Sequence, residues 1–170
     1  DFDAIVVGAG PAGSCAAIEL ARAGHSVLLI ERGPFPGSKN MYGGVVYPRI
    51  LDQLIPEWWN EAPIQRWVTR RATMVMTPEQ ALTIDFRSQR WAAPPYNGAT
   101  AYRPDFDHWL ADKAVEAGAV LLCSTVVTGL LRDGGRRIVG VRTDRPDGDL
   151  RAKVVIACDG VNSFLAKEAG

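Results

Sequence analysis

The first thirty residues alternate between apolar runs and small-residue stretches in a pattern that predicts a β-α-β unit. Residues 3–7 form a continuous β-prone run, which is typical of a buried parallel strand. After a glycine-rich break, the alanine-rich residues 12–23 predict a helix that can lie close to a sheet, and Gly24 ends it. Residues 27–30 predict the second strand, which stops at Glu31.

A comparable pattern returns in the last third of the chain. Residues 104–118 place apolar side chains on one helical face, with Asp105 as the expected N-cap, and residues 119–123 predict another strand. Three strand-like segments follow, at residues 126–131, 137–143 and 150–157. Turn sequences of the hairpin type separate them. They predict an antiparallel meander that returns to the main sheet, and residues 161–169 predict a closing helix.

The middle of the chain has no such regularity. It contains a Gly/Pro-rich loop at residues 33–44 and a short helix at residues 49–54, followed by two predicted strands at residues 69–77 and 81–86. No linker is long enough to separate independent domains, so we expect one α/β, Rossmann-like domain with a parallel sheet and an antiparallel meander. Its predicted parts, within residues 1–170, are the β-α-β unit 3–31, an accessory segment 32–100, and the helix, strand and meander of 101–170.

Composition and charge narrow the possible functions. Lysine plus arginine and aspartate plus glutamate both number 19, so nothing in the net charge favours nucleic acid or anionic membrane. No apolar run is long enough to span a membrane, and Asp1 and Asp3 stand where a secretion signal would be basic, so we expect a cytoplasmic protein. Cys15, Cys123 and Cys158 are an odd, scattered set, which predicts reduced, buried thiols and cannot supply a four-cysteine iron–sulfur cluster.

The glycine-rich break has the spacing of a dinucleotide-binding loop: Gly8-Ala9-Gly10-Pro11-Ala12-Gly13. In such a loop Gly8 permits a tight turn, Gly10 lets the backbone approach a diphosphate, and Gly13 lets helix and strand pack closely. The helix N-terminus offers amide groups to the phosphates, and Glu31 can accept both hydroxyls of an adenosine ribose. A carboxylate there would repel a 2′-phosphate, which argues against NADP. This unit alone leaves FAD and NAD both open.

Two longer strings resemble a known flavoprotein family. DAIVVGAGPAGSCAAIELARAGHSVLLIER, residues 3–32, resembles the opening of the large family that includes p-hydroxybenzoate hydroxylase and geranylgeranyl reductase. VIACDGVNS, residues 155–163, resembles that family's second signature, although the family more often has alanine in place of Cys158. The resemblance implies FAD rather than NAD, and it implies that Asp159 faces the flavin side of the cofactor pocket, with Gly160 as a further cofactor-binding residue.

Three less common strings are similar to a narrower group. GSKNMYGGVVYP, LIPEWWNEAPIQRWVTRR and YRPDFDHWLADKAVEAGAVL resemble the FixC group, relatives of electron-transfer-flavoprotein:quinone oxidoreductase that act in the FixABCX complex. This resemblance implies electron transfer from an electron-transfer flavoprotein towards quinone, with electron-transfer flavoprotein subunits and a ferredoxin-like protein as partners. Members of this group are longer, and their third signature, a Gly-Asp pair, is expected beyond residue 170. We therefore expect the N-terminal part of a larger protein.

The same relatives suggest five more cofactor-binding residues, each with an ordinary structural alternative. Arg103 is expected to lie at the diphosphate or ribityl region of the cofactor, and the alternative is an exposed arginine near a helix end. Gly43 and Gly44 are expected to let the backbone pass close to the isoalloxazine, and the alternative is that they only make the loop flexible. Arg32 either contacts the cofactor or points to water, and Val127 either holds the adenine through its backbone or is a core valine.

Other candidate features point away from additional chemistry. Trp58, Trp59 and Trp67 suggest either a partner or membrane-surface patch, or burial, and we favour burial. His25 and His108 have no ligand spacing, so we expect no metal. No cysteine pair follows Glu31 and no second glycine-rich unit is present, which argues against a disulfide reductase and a docked nicotinamide.

Two alternative functions remain beside the FixC-like electron carrier. One is a FAD-dependent monooxygenase or isoprenoid reductase that acts on a small substrate, and the other is a non-catalytic dinucleotide-binding module. In the enzymatic cases we expect the flavin to carry the chemistry, so we assign no residue as a catalytic acid or base. Peripheral contact with a membrane is compatible with the electron carrier, since quinones are lipid-soluble.

Overall fold

The computed structural model describes residues 1–170 and contains eleven strands and four α-helices. In chain order they are β1 (Phe2–Val7), α1 (Pro11–Arg22), β2 (Val27–Ile30), β3 (Gly43–Val46), α2 (Leu51–Leu54), β4 (Ile64–Trp67), β5 (Arg70–Met76), β6 (Ala81–Arg87), β7 (Ala99–Tyr102), α3 (Arg103–Glu116), β8 (Val120–Leu122), β9 (Val127–Arg132), β10 (Ile138–Thr143), β11 (Asp149–Ala157) and α4 (Phe164–Ala169). The chain forms two compact units, of which the first combines residues 1–41 with 103–170 and the second is residues 42–102.

The first unit is built on one six-stranded sheet in the order β8-β2-β1-β11-β10-β9. The strands β8, β2, β1 and β11 run parallel, and β10 and β9 continue the sheet antiparallel. The predicted α/β class, with a parallel sheet and an antiparallel meander that returns to it, is therefore confirmed. The carboxyl ends of β1, β2 and β11 lie side by side, which is where open α/β sheets bind their ligands.

Strand β2 and residues 4–7 of β1 are apolar and buried. All four residues of β2 are buried, and Ile5 of β1 packs with Ile30, Val141 and Leu165 in the core. The buried face of α1 carries Gly13, Ser14, Ala17 and Ile18, so three small side chains let this helix lie close to its neighbours. The helix therefore begins directly beside the carboxyl end of β1.

The second unit is mainly antiparallel and has its own small core. Its three-stranded sheet has the order β3-β7-β4, and β5 and β6 form a separate hairpin. Trp58 is fully buried, its indole N–H donates to Asp52 Oδ1 at 2.8 Å, and its ring meets Trp59 and Trp67 edge to face. For Trp58 the expected burial is confirmed.

The structure corrects several local expectations. Gly43 and Gly44 belong to strand β3, not to the predicted loop, and strands β4 and β7 had no predicted counterpart. Asp105 is not the N-cap of its helix, because α3 begins two residues earlier at Arg103 and Asp105 lies in the first turn. The three cysteines are free but only partly buried, since each lies at an element end or at a helix edge.

The amino end of β1 carries a charged contact that joins three strand segments. The Asp3 carboxylate accepts hydrogen bonds from Lys153 of β11 at 2.7 Å and from the Ser26 backbone amide at 2.9 Å. Lys153 first, and Ser26 second, hold the pKa of Asp3 well below its usual range. The stability that this contact contributes is therefore present above the unfolded-state pKa of about 3.9 and is lost as the pH falls through the lower folded-state pKa.

We expect Asp3→Asn to lower the free energy of unfolding at pH 7, because the neutral amide cannot pair with Lys153. The difference from the parent protein should shrink progressively below about pH 4. Urea denaturation followed by circular dichroism at several pH values measures both quantities. Asp149→Asn is the matched control, since it removes a longer exposed ion pair to Arg142 at 3.5 Å and should cost less. A pH-independent loss in Asp3→Asn would contradict the electrostatic explanation.

Candidate dinucleotide-binding site

The turn from β1 into α1 is held by backbone contacts that leave no room for side chains. Gly8 has a φ of +102°, and its amide donates to the Ile30 carbonyl at 2.8 Å. A Cβ at Gly8 would overlap the carbonyl oxygen of Cys158, and one at Gly13 would overlap the carbonyl oxygen of Gly8. Glycine at both positions is therefore required for the three elements β1, α1 and β11 to meet.

Gly10 is different, because a Cβ there would have no atom within 4 Å. It is the N-cap of α1 with an extended backbone, φ −77° and ψ −177°, which any residue adopts. Pro11 follows as the first helical residue, so the first amides without a helical partner are those of Ala12 and Gly13. The positive end of the helix thus faces open space beside Gly10, which fits a diphosphate in direct contact with backbone.

Glu31 is fixed at the end of β2 by two backbone amides. Its Oε2 accepts from Ala9 N at 3.1 Å, and its Oε1 accepts from Gly33 N at 2.7 Å. The residue is only 9% exposed. Each carboxylate oxygen has two acceptor positions, so one remains free on each oxygen. The side chain is therefore oriented before any ligand arrives and keeps the acceptors that a ribose diol needs.

Arg103 begins α3 and forms a two-pronged ion pair within the same helix. Its Nε and Nη2 donate to Asp107 Oδ1 and Oδ2, each at 2.8 Å, and Asn40 Nδ2 donates to Asp107 Oδ2 at 2.9 Å. Hydrogen bonding to Asp107 raises the pKa of the Arg103 guanidinium above its already high ordinary value. The arginine thus carries a permanent positive charge in a defined orientation.

Asp159 organises the turn that follows β11. Its carboxylate accepts hydrogen bonds from Ser163 Oγ and, at 3.2 Å, from the Leu165 amide, and Ser163 Oγ in turn accepts from Ala166 N. The next residue, Gly160, has a φ of +98°. Asp159 thus fixes the start of α4 and the path of the Asp159-Gly160 backbone along the edge of the sheet.

The residues that lead into β9 are held by hydrogen bonds from the turn between β10 and β11. Asp144 accepts from Val126 N at 2.9 Å through its carboxylate and donates its own amide to the Val126 carbonyl at 2.9 Å. Arg145 donates to the Ser124 carbonyl at 2.8 Å, and the Thr125 amide donates to the Glu31 carbonyl at 3.0 Å. The buried Val127 therefore starts its strand beside Glu31 at a defined position.

These features surround one cleft of about 600 Å³ at the carboxyl ends of the parallel strands, which we call the carboxyl-edge cleft. Ten of the residues predicted from sequence line it: Gly8, Gly10, Pro11, Ala12, Glu31, Arg32, Arg103, Val127, Asp159 and Gly160. Two more support it from behind, since Ala9 is buried and binds Glu31, and Gly13 packs against Gly8.

Gly43 and Gly44 lie in the second unit, where strand β3 pairs with β7. A Cβ at Gly43 would come within 2.9 Å of the Tyr102 ring, and one at Gly44 would overlap the ring of Tyr42. Packing within this unit therefore accounts for both glycines. Their proximity to a flavin stays a prediction.

Twelve residues of the cleft wall were not predicted as site residues, and they include Lys39, Asn40 and Asp107. Asp107 had a usable signal, because it stands four residues after Arg103 on a predicted helix, the spacing at which side chains of opposite charge meet. Asn40 had none, since its partner is 67 residues away. The same cleft is thus lined by the cations Arg32, Lys39 and Arg103 and by the acids Glu31, Asp107 and Asp159.

Cys158 is also part of the cleft wall, and its environment keeps it uncharged. Burial, and then the nearby Asp159, raise the pKa of the Cys158 thiol. A thiol with a raised pKa is a poor nucleophile at neutral pH. No cluster of three or more His, Cys, Asp or Glu side chains has an arrangement that would hold a metal ion.

Comparison with known families gives a match along nearly the whole chain. The family model described as FAD dependent oxidoreductase matches residues 3–167. Protein FixC of Azotobacter vinelandii is 46% identical over 169 residues, and Protein FixC of Bradyrhizobium diazoefficiens is 44% identical over 169 residues. A probable electron transfer flavoprotein-quinone oxidoreductase, YdiS of Escherichia coli, is also 44% identical over 169 residues. Each match covers 99% of this chain and 39% of the relative, so the chain spans about two-fifths of their length.

Solved structures place the fold in the same superfamily. A geranylgeranyl bacteriochlorophyll reductase-like protein of Thermoplasma acidophilum matches with a TM-score of 0.81 and 30% identity, over 99% of this chain and 42% of that protein. The myxobacterial FAD-dependent halogenase CndH matches with a TM-score of 0.75 and 26% identity, over 98% of this chain and 39% of the other. The predicted resemblance to the FixC group and the choice of FAD as cofactor are confirmed.

We expect Gly10→Val to fold normally and to lose FAD, because the new side chain fills only the open space in which we expect the diphosphate. Gly13→Val is the matched comparison, and it should fail to fold stably since its side chain overlaps the Gly8 carbonyl. Thermal unfolding and the flavin absorbance of the purified proteins separate the two effects. A Gly10→Val protein that keeps a full complement of FAD would show that the cofactor does not approach Gly10.

Proposed function

Because the chain belongs to the FAD dependent oxidoreductase family, we propose that it is the FAD-binding part of an oxidoreductase that passes electrons from an electron-transfer flavoprotein towards quinone. The observation that carries this proposal is the similarity, along almost all of the chain, to proteins named FixC and electron transfer flavoprotein-quinone oxidoreductase. When bound, FAD supplies the redox chemistry, and the residues of this chain bind and orient it.

The carboxyl-edge cleft suggests how the adenosine half of FAD is held. We assign the ribose diol to Glu31, whose carboxylate is already oriented by Ala9 and Gly33. The diphosphate is assigned to Gly10 and the free amides of α1, where a helix N-terminus meets open space. Arg103 adds a positive charge to the lining of the same cleft. These assignments fit the residues present, since each negative group of the ligand has donors and no nearby unpaired acid.

Three further predicted contacts complete the proposed site. The backbone at Val127 is assigned to the adenine, because this strand start is fixed beside Glu31. The Asp159-Gly160 turn is assigned to the flavin side of the diphosphate, and its role is positional because the Asp159 oxygens bind the start of α4. Arg32 is exposed at the rim of the cleft, where it adds positive charge. No residue of the chain is proposed as a catalytic acid or base.

A substrate-modifying flavoenzyme is the second candidate. The likeness to a geranylgeranyl bacteriochlorophyll reductase-like structure favours it, and a monooxygenase or isoprenoid reductase would use the same cofactor cleft. A non-catalytic dinucleotide-binding module would also need the cleft but would show no electron transfer. The two enzymatic candidates differ in their electron donor, which makes them separable by experiment.

The proposed partners are electron-transfer flavoprotein subunits, a ferredoxin-like protein and quinone, as the FixC-like strings imply. In anaerobic mixing, a reduced electron-transfer flavoprotein should bleach the flavin absorbance of the FAD-loaded protein, and a soluble quinone analogue should restore it. Rapid bleaching by a reduced nicotinamide instead, with oxygen uptake stimulated by a small organic substrate, would favour the monooxygenase and contradict the electron carrier.

We propose that quinone is reduced where the protein makes a peripheral contact with the membrane. The hairpin of β5 and β6 supports it, because one face carries four large apolar side chains that are each more than half exposed: Val75, Leu82, Ile84 and Phe86. No helix of the chain combines the length and the apolar character that a membrane-spanning helix needs. The hairpin is therefore the surface that we assign to the interface with lipid.

We expect Val75→Ser to reduce flotation of the FAD-loaded protein with vesicles of phosphatidylglycerol and phosphatidylcholine, because it removes an apolar side chain that is 65% exposed. Val120→Ser is the matched control, since that valine is 53% exposed but lies in β8 of the first unit. Equal flotation of all three proteins, or none at all, would contradict a membrane contact through the hairpin and would leave electron transfer to the test above.

A further inference from the structure

A fully buried carboxylate stands beside the cofactor cleft without a role in the site described so far. Asp107, one turn into α3, has no exposed surface and accepts three hydrogen bonds. Removing a carboxylate from water is costly, and apolar residues of similar size often replace buried ion pairs without loss of stability. The presence of this charge therefore calls for an explanation other than stability.

The hydrogen bonds of Asp107 fix one particular orientation of Arg103. The planar guanidinium meets the planar carboxylate in the two-pronged geometry that arginine favours, with both nitrogen–oxygen distances at 2.8 Å. An unpaired arginine on a helix surface samples many rotamers, but this one is restricted to a single plane. The pairing uses two of the five guanidinium N–H donors, so three remain available.

The three unpaired N–H donors of Arg103 belong to a side chain that is not fully buried. Arg103 keeps 31% of its side-chain surface exposed, whereas Asp107 keeps none, and both residues line the cleft. The acid is thus fully shielded, whereas about a third of the arginine side chain remains open. A negative ligand in the cleft would meet the arginine and not the carboxylate behind it.

Asn40 completes the arrangement from a distant part of the chain. Its Nδ2 donates to Asp107 Oδ2 at 2.9 Å, and the same oxygen accepts a hydrogen bond from Arg103 Nη2. The segment that carries Asn40 lies tightly on the start of α3, since Gly37 has a φ of +85° and a Cβ there would lie 2.7 Å from Pro104 Cα. The amide and the arginine therefore hold the carboxylate from two independent directions.

We propose that Asp107 and Asn40 are positioning residues that hold Arg103 with its free donors directed at the diphosphate of the bound dinucleotide. They make the cleft select for a diphosphate-bearing ligand over a nucleoside, because the oriented arginine recognises phosphate and not the adenosine. This inference rests on the assignment of the FAD diphosphate to the carboxyl-edge cleft. The advantage is preorganisation, since the side chain is ordered before the ligand binds.

The test compares ADP, which has the diphosphate, with adenosine, which lacks it. Isothermal titration of the chain with both ligands, and with FAD, is carried out for the parent, Arg103→Gln, Asp107→Asn and the double variant. Asp107→Asn keeps the shape of the side chain and removes its charge. We expect it to weaken ADP and FAD about tenfold, the equivalent of one charge-assisted hydrogen bond, and to leave adenosine unchanged.

The double variant distinguishes positioning from a direct or purely structural role. If Asp107 acts through Arg103, the double variant should bind ADP no more weakly than Arg103→Gln alone. Asp112→Asn is the matched control, because it lies on the same helix, is exposed, and forms a long pair with His108 at 3.7 Å. Its ADP and adenosine affinities should equal those of the parent.

Other outcomes would overturn the inference. Unchanged ADP affinity in a folded Asp107→Asn would do so, as would an equal loss of ADP and adenosine, which indicates a general structural defect. If Asp107→Asn does not fold, Asn40→Ala takes its place, and it should weaken ADP selectively by a smaller factor; no selective loss would contradict the proposal. A failure of the assignment of the diphosphate to the carboxyl-edge cleft can be told apart from a failure of this inference, because in that case Gly10→Val would leave ADP binding intact.

Discussion

The first unit depends on one steric constraint, the absence of side chains where β1, α1 and β11 meet. Gly8 lies against the carbonyl of Cys158, and Gly13 lies against the carbonyl of Gly8, so the backbones approach more closely than any Cβ permits. This contact places the amino end of α1 beside the carboxyl ends of the parallel strands. The open space at Gly10, the position of Glu31 and the start of the Asp159 turn all follow from it.

A second principle is that the acids of the cleft are bound by protein donors. Glu31 is held by two backbone amides, Asp107 by Arg103 and Asn40, and Asp159 by Ser163 and the Leu165 amide. Each carboxylate is thus oriented, and its charge is partly offset by the donors around it. The cations at the rim and wall are left to face a negative ligand, which reconciles a neutral chain with a site for a diphosphate.

Local patterns in the sequence predicted the first unit well, because glycine breaks and apolar runs set the ends of its strands without reference to distant residues. The short strands β3, β4 and β7 could not be predicted in this way, since β3 is Gly-Gly-Val-Val and becomes a strand only by pairing with residues far along the chain. Ten of the 22 residues that line the cleft followed from motif and resemblance. Asn40 did not, because its contact with Asp107 exists only after folding.

The hairpin of β5 and β6 has a consequence for how this chain, taken by itself, behaves in concentrated solution. It is a sheet of only two strands, so both strands are edges with backbone groups that can pair with another chain. Arg70 and Arg87 flank Asp85 at its base, and such charges oppose strand addition there, whereas the distal residues Val75 and Leu82 offer no charge. Self-association should therefore involve the apolar strand segments around Val75 and Leu82 and strengthen in sulfate, which favours burial of apolar surface.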